Sequence, residues 1–347
     1  MKKLIALVLT TTIGLSLSGC TPPMPPEVRI ALEEQQYICE DGAIKVQFPQ
    51  AISDISTDFS DSLASACSSM SIATPKKGEL AQIVFSSNDT FTCTPFLKVP
   101  FAQDGALIIV NEPDLSSLNL DFATASKIFD GQITSWDDPA IAALNKDQQL
   151  PSAPISVFPS VAREALQALQ TWATSTGNHF DGTMLKPIDN FTDKDATKIK
   201  DNQIAIFPYS VNMQEGLIAA SIIPDSAIPK NIVASEAANL ASAGTQWVTS
   251  VANGTVSVSL DAKLKPTAPQ GIDVAPTPYQ AVYPVYMGLC GTDSLPTRAV
   301  ARFLLRQDSQ GSLGASNLIP LAEPIRYKAI EAVAVGLPKV KIKAPAN

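Results

Sequence analysis

The chain has 347 residues, 45% hydrophobic and 17% charged, with 25 basic against 33 acidic side chains and a formal net charge of −8. That balance argues against nucleic acid as a partner, and the length exceeds what one hydrophobic core usually organises, so two lobes or domains are expected. One histidine (His179), no metal-ligand spacing and no Gly-x-Ser-x-Gly elbow point away from an enzyme and from a metal or cofactor site.

Lys2 and Lys3 precede an apolar stretch, Leu4 to Leu17, which runs into Ser18-Gly19-Cys20. Charge, apolar run and small residues in that order form an export signal. The stretch has 14 residues and includes threonines and a glycine, whereas a membrane-spanning helix needs about 20 apolar residues, so residues 1–19 are expected to be cleaved. Leu17-Ser18-Gly19-Cys20 resembles the bacterial lipobox. The resemblance implies lipidation of Cys20 and anchoring to the outer face of the cell membrane. The proline-dense run Thr21 to Pro26 favours an extended spacer over residues 20–30. Cys39, Cys67, Cys93 and Cys290 are an even set for an oxidising compartment; two disulfides are expected, with three connectivities open.

The body alternates strands and helices, which indicates an α/β architecture. Ile44 to Phe48 alternates as a strand and stops at Pro49; Ile52, Ile55, Phe59, Leu63 and Met70 then recur at helical spacing. Gln82 to Phe85 is a short strand ending in the polar loop Ser86-Ser87-Asn88-Asp89, and Gly105 to Val110 is a buried strand. Ala123 to Phe129 and Pro139 to Leu144 are helical, Pro154 to Phe158 is a strand, and Val161 to Ala173 is an amphipathic helix. A strand at Gln203 to Phe207, a helix around Ser235 to Trp247, a proline-rich stretch from Pro266 to Pro278, a strand at Ala281 to Leu289 and a helix at Thr297 to Leu305 follow.

Leu120 to Asn145, with Ile128-Phe129-Asp130-Gly131-Gln132-Ile133 and Trp136-Asp137-Asp138-Pro139-Ala140-Ile141, closely resembles the phosphate-binding proteins of bacterial ABC importers. Its residues read as structural. Gly131 suits a left-handed helix end, Pro139 a first helical turn behind Asp137 or Asp138 as cap, and Trp136 a buried anchor. Phe48-Pro49, Phe85 to Asp89, Ile204 to Tyr209, Ala301 to Leu304 and Leu318 to Leu321 match that family in the same order. The resemblance implies a type II periplasmic-binding-protein-like fold of two α/β lobes joined by two crossing strands. Lobe 1 takes residues 31–112 and 280–347, lobe 2 residues 113–279, and any disulfides fall within lobe 1.

It also implies a ligand held between the lobes: phosphate or a related small oxyanion, handed to an ABC permease. An acidic chain is compatible with this, because helix ends and loop amides bind anions whatever the global charge. Carried over residue by residue, the site comprises Gln47 and Phe48 from the first loop, Ser87, Asn88 and Asp89 from the second, and Ser160 and Arg163 in the second lobe. Asp89 is the expected acceptor of the proton that distinguishes hydrogen phosphate from sulfate. The second-lobe loop departs from the family's Arg-x-Asp-Gly-Ser-Gly-Thr, with Ser160, Ala162 and Leu166 where arginine, aspartate and threonine belong, and Glu164 beside Arg163. A non-transport sensor or scaffold of the same fold, no longer holding phosphate, is therefore the alternative.

Overall fold

The computed structural model describes residues 24–211, 214–269, 272–274 and 276–339; the export signal and Cys20 lie outside the described residues. Helix α1 (Pro26–Glu34) is followed by β1 (Gly42–Gln47), α2 (Ser56–Ala66), β2 (Met70–Ala73), β3 (Ile83–Ser86) and the 15-residue β4 (Leu97–Asn111). The chain then forms β5 (Asn119–Asp121), α3 (Phe122–Phe129), α4 (Pro139–Leu144), β6 (Ser156–Val157), β7 (Ser160–Ala162), α5 (Arg163–Ser175), β8 (Lys186–Ile188) and α6 (Asp193–Ala196). Strands β9 (Gln203–Pro208), β10 (Ile218–Ala219) and β11 (Ser221–Ile223) complete that part. Helix α7 (Ala237–Gly244), the hairpin β12 (Trp247–Ala252) and β13 (Thr255–Leu260), then β14 (Val282–Leu289), α8 (Leu295–Leu304), α9 (Gln307–Gly311) and α10 (Glu323–Val333) return to the start.

Helical spacing of apolar residues accounts for the packed faces. Helix α5 buries Ala165, Leu169, Trp172 and Ala173 along one stripe, and α2 buries Phe59 and Leu63 one turn apart. The Asp121 carboxylate caps α3 by accepting from the Thr124 N–H at 2.7 Å, and Gly131 ends that helix at φ +72°. Asp138 caps α4 through the Ala140 N–H, while Asp137 accepts instead from the Ser135 hydroxyl. Trp136 is fully buried, so the segment that carries the resemblance is indeed structural.

Strand β4 organises both lobes. Its residues 97–105 pair antiparallel with β14, which continues through β3 to the parallel strands β1 and β2. Its residues 106–111 pair instead with β9, and through it with β6. The change of partner falls at Gly105, whose carbonyl accepts from the Tyr209 N–H while Ala106 N–H donates to Ala281. A Cβ at Gly105 would come 1.9 Å from the Leu240 side chain, so glycine lets α7 lie against the crossing. The return passage is pinned by Tyr279, whose hydroxyl donates to the Ala106 carbonyl.

Two expectations shift. Strand β13 pairs with β4 at Thr255 and Lys98, so the hairpin extends the first lobe's sheet although residues 247–260 fall within the span expected for lobe 2. Helix α1 begins inside the expected extended spacer, with Pro26 at its first position, where proline is tolerated, and an apolar face that packs on the core. Ile30 is 1% exposed in the core, and the α1 end is held by arginines. Arg302 and Arg306 donate to the carbonyls of Glu33 and Glu34, and buried Arg326 pairs with both Glu34 and Glu323.

The disulfides are Cys39–Cys67 and Cys93–Cys290. The first links the α1–β1 connection to the end of α2, and the second ties the loop after β3 to the end of β14. Both therefore join elements on the β2–β1–β3–β14 side of the sheet.

Candidate functional site

A cavity of about 330 Å³ opens where β4 and β14 cross between the lobes. From the first lobe it is walled by Gln47, Phe48 and the loop Ser86 to Asn88; from the second by Glu164, the turn Asn190 to Thr192 and Ser210; from the crossing itself by Asp104 and Tyr283. The position is physically dictated, because strands that change partner leave a crevice at their ends where loops converge. Phe48 stacks at 5.9 Å on both Phe59 and Phe85, so one wall is aromatic.

The first-lobe loop is shaped by its own side chains. Ser86 Oγ donates to Asn88 Oδ1 at 2.8 Å, and the Thr90 N–H donates to both oxygens. This tight turn drives Asp89 into the left-handed region at φ +60°, which Asp tolerates better than most residues. Ser87 and Asn88 consequently face the second lobe. Ser87 Oγ donates to Glu164 Oε1, and Asn88 Nδ2 donates to Asp189 Oδ1 at 3.4 Å.

Of the residues expected at the site, Gln47, Phe48, Ser87 and Asn88 come together on its wall, and Asp89, Ser160 and Arg163 do not. Asp89 turns outward and accepts two bonds from Lys98 Nζ at 2.7 and 2.8 Å. Ser160 is a residue of β7 paired with Lys186, two residues before Ala162, which precedes α5. Arg163 points to solvent and donates to Asp189 at 3.0 Å. The carboxylate beside it in sequence, Glu164, stands in the cavity wall instead.

Three groups not expected at the site, Asp104, Tyr283 and Glu164, shape its electrostatics. Asp104 is 4% exposed and accepts from the N–H groups of Gly105 and Ser210 and from the Ser210 hydroxyl. Burial pushes its pKa up to about 6, against those stabilising bonds and one from Tyr283. Burial also raises the Tyr283 pKa well above its ordinary value, with Asp104 and Glu164 adding to the shift. Glu164 is 9% exposed, and its Oε2 is buried with no partner among the described residues. The sequence places the start of this strand at Gly105; in the structure Asp104 lies inside a strand buried along nearly its whole length, where an acidic side chain needs donors of its own.

Neither lysine nor arginine lines this cavity among the described residues. Lys76 and Lys77 instead stand exposed on an adjoining open groove of about 430 Å³, which shares Gln47 and Phe48 with it.

A sheet continued through two lobes by one crossing strand, with a walled cavity at the crossing, defines a two-lobed α/β protein with a cleft between its lobes. The chain belongs to the PBP superfamily, whose domain matches residues 50–306. It is 27% identical over 253 residues to phosphate-binding protein PstS 3 of Mycobacterium tuberculosis, across 69% of this chain and 66% of the relative. It thus spans slightly under two thirds of that relative's length. Over 65 residues it is 45% identical to PstS 2 of the same organism, across 19% of this chain and 18% of the relative. Among solved structures, the phosphate-bound high-affinity periplasmic protein PfluDING is similar in fold, with a TM-score of 0.52 at 12% identity, covering 83% of this chain and 92% of that one.

Proposed function

We propose that the protein is an extracytoplasmic lipoprotein, anchored through Cys20, that holds a small solute between its lobes and presents it to an ABC permease. The observation that carries this reading is the cavity at the β4 crossing, walled by loops of both lobes on a fold whose relatives are named as phosphate-binding proteins. On that likeness the solute is phosphate or a related small oxyanion. Cys20→Ala is expected to leave an unlipidated precursor or a soluble exported form.

One observation favours a second reading, in which the cleft no longer takes phosphate and the protein serves as a receptor for something else, a sensor or a scaffold. The charges buried in the cavity wall are the carboxylates Asp104 and Glu164, and the nearby arginine, Arg163, is engaged by Asp189. Calorimetry of the purified mature protein with phosphate, and with sulfate as comparator, separates the two. Tight phosphate binding supports the first reading; its absence, with the fold intact by circular dichroism, supports the second.

A further inference from the structure

We propose that the corner where α1 begins and α10 ends lies against an anionic phospholipid surface, held there by the basic segment Lys339 to Lys343. The two helices run antiparallel. Glu34 at the end of α1 pairs with Arg326 in the first turn of α10, and Arg29 in the first turn of α1 pairs with Glu331 in the last turn of α10, at 3.4 Å. Pro26 and the exit from α10 therefore share one corner. Arg298 fixes that exit by donating to the carbonyls of Ala332 and Val333, and Leu337 is buried just beyond it. Lys339 follows, exposed.

Charge selects the occupant. Residues 332–347 contain three lysines, Lys339, Lys341 and Lys343, and no acidic residue, in a chain with 33 acidic against 25 basic side chains. Carboxylates packed at the corner are already engaged: Glu33 and Glu331 by Arg29, Glu331 also by Lys328, and Asp293 by Arg298. Glu27 on α1 and Asp41, next to the Gly42 that packs on Pro296, are outnumbered by the three lysines. Apolar groups accompany the charge. Val28, Leu295 and Val335 stand exposed on these elements, Leu295 beside Gly336, and Val340 and Ile342 alternate with the lysines in sequence. Interfacial binding sums apolar burial and attraction to anionic lipid, and lysine stems lie along apolar surface while their ammonium groups reach headgroup phosphates. No described helix is long and apolar enough to cross a membrane, so the contact is with the surface. The choice of a bilayer over a protein partner rests on the anchoring reading above, because only six residues separate Pro26 from Cys20.

The test is sedimentation of the mature chain carrying Cys20→Ser, which has no lipid of its own, with mixed phosphatidylcholine–phosphatidylglycerol vesicles and with pure phosphatidylcholine vesicles. Binding is expected to the anionic vesicles alone and to weaken as salt is raised. Replacing Lys339, Lys341 and Lys343 together by glutamine should lower the partition coefficient about 100-fold, roughly fivefold for each lysine, with the melting temperature unchanged. Replacing Lys194, Lys198 and Lys200 on and after α6 by glutamine should leave binding as it was. Equal sedimentation with both kinds of vesicle, none with either, or equal binding by the Lys339, Lys341 and Lys343 variant overturns the inference. So does an equal loss in the α6 variant, since the attraction would then be spread over the whole surface. Absence of lipid on Cys20 in the exported protein would sink the anchoring reading and leave this binding in place.

Discussion

Ser87 and Glu164 stand on opposite lobes, and the serine hydroxyl donates a hydrogen bond to the carboxylate across the cleft. Asn88 and Asp189 make a second, longer contact of the same kind. Removing the first is expected to loosen the closed form. A bond to a charged group contributes about 1.5–3 kcal/mol, so Ser87→Ala should raise the open population about 10- to 150-fold. Small-angle scattering on the unliganded protein checks this through an increased radius of gyration; an unchanged radius would mean that other contacts hold the lobes together.

Asp89→Ala should leave solute binding unchanged. Its carboxylate is 57% exposed and engaged by Lys98 away from the cavity, and exposed pairs of this kind contribute about 0–1 kcal/mol. Titration of wild type and variant with the same solute decides it, and a tenfold loss would show that the loop around Asp89 rearranges on binding.

The pH dependence should carry the signature of Asp104. Its folded-state pKa of about 6 lies above the ordinary 3.8, so the folded protein retains a proton through that window that the unfolded chain has lost. The Asp104 contribution to stability is therefore greatest below about pH 3.8 and falls as pH rises to about 6, by on the order of 3 kcal/mol. Urea unfolding of Asp104→Asn and wild type at pH 4.5 and 7.5 measures this. The variant should gain relative to wild type at the higher pH, and an equal difference at both values would contradict the assignment.

Reduction of Cys93–Cys290 should act on the site as well as on stability. The bridge ties the loop after β3, which presents Ser87 and Asn88, to the end of β14. Loss of a native disulfide costs about 2–5 kcal/mol. Replacing both cysteines with serine should speed amide exchange in residues 87–96 well before global unfolding, whereas replacing Cys39 and Cys67 should leave that loop unchanged.

Arg326→Ala should be among the most destabilising single changes. The side chain is 2% exposed and joins Glu34 of α1 to Glu323 of α10. Breaking a buried ion pair from one side leaves an unpaired charge, at a cost of about 3–5 kcal/mol. Denaturant midpoints measure the loss, and exchange mass spectrometry should locate it first in α1.

The α/β class and most elements were legible because the segment from Leu120 to Asn145 is ruled by local chemistry: a cap at Asp121, a left-handed end at Gly131 and a buried Trp136. Part of the site was not legible, because it depends on which way side chains turn at two junctions. Asp89 faces outward since the Ser86 and Asn88 hydrogen bonds fix its backbone, and nothing in its neighbours along the chain reports Lys98 as its partner. Arg163 and Glu164 are adjacent at the first turn of α5 and therefore project in different directions about 100° apart. One side reaches Asp189 and the other the cavity. Long-range pairings were equally hidden: the β13 contact at Lys98 cannot be read from hairpin sequence alone.

The docking of α1 sets the geometry of the proposed anchor. Arg302, Arg306 and Arg326 fasten this helix to lobe 1, and only six residues lead from Cys20 to Pro26, a reach of at most about 20 Å when fully extended. With a lipid on Cys20, lobe 1 becomes the fixed jaw and lobe 2 the moving one. The mouth then sweeps a thin layer above the bilayer instead of the whole periphery, so a membrane partner meets it at a high effective concentration. Lengthening the leash should dilute that encounter even where the cavity is untouched.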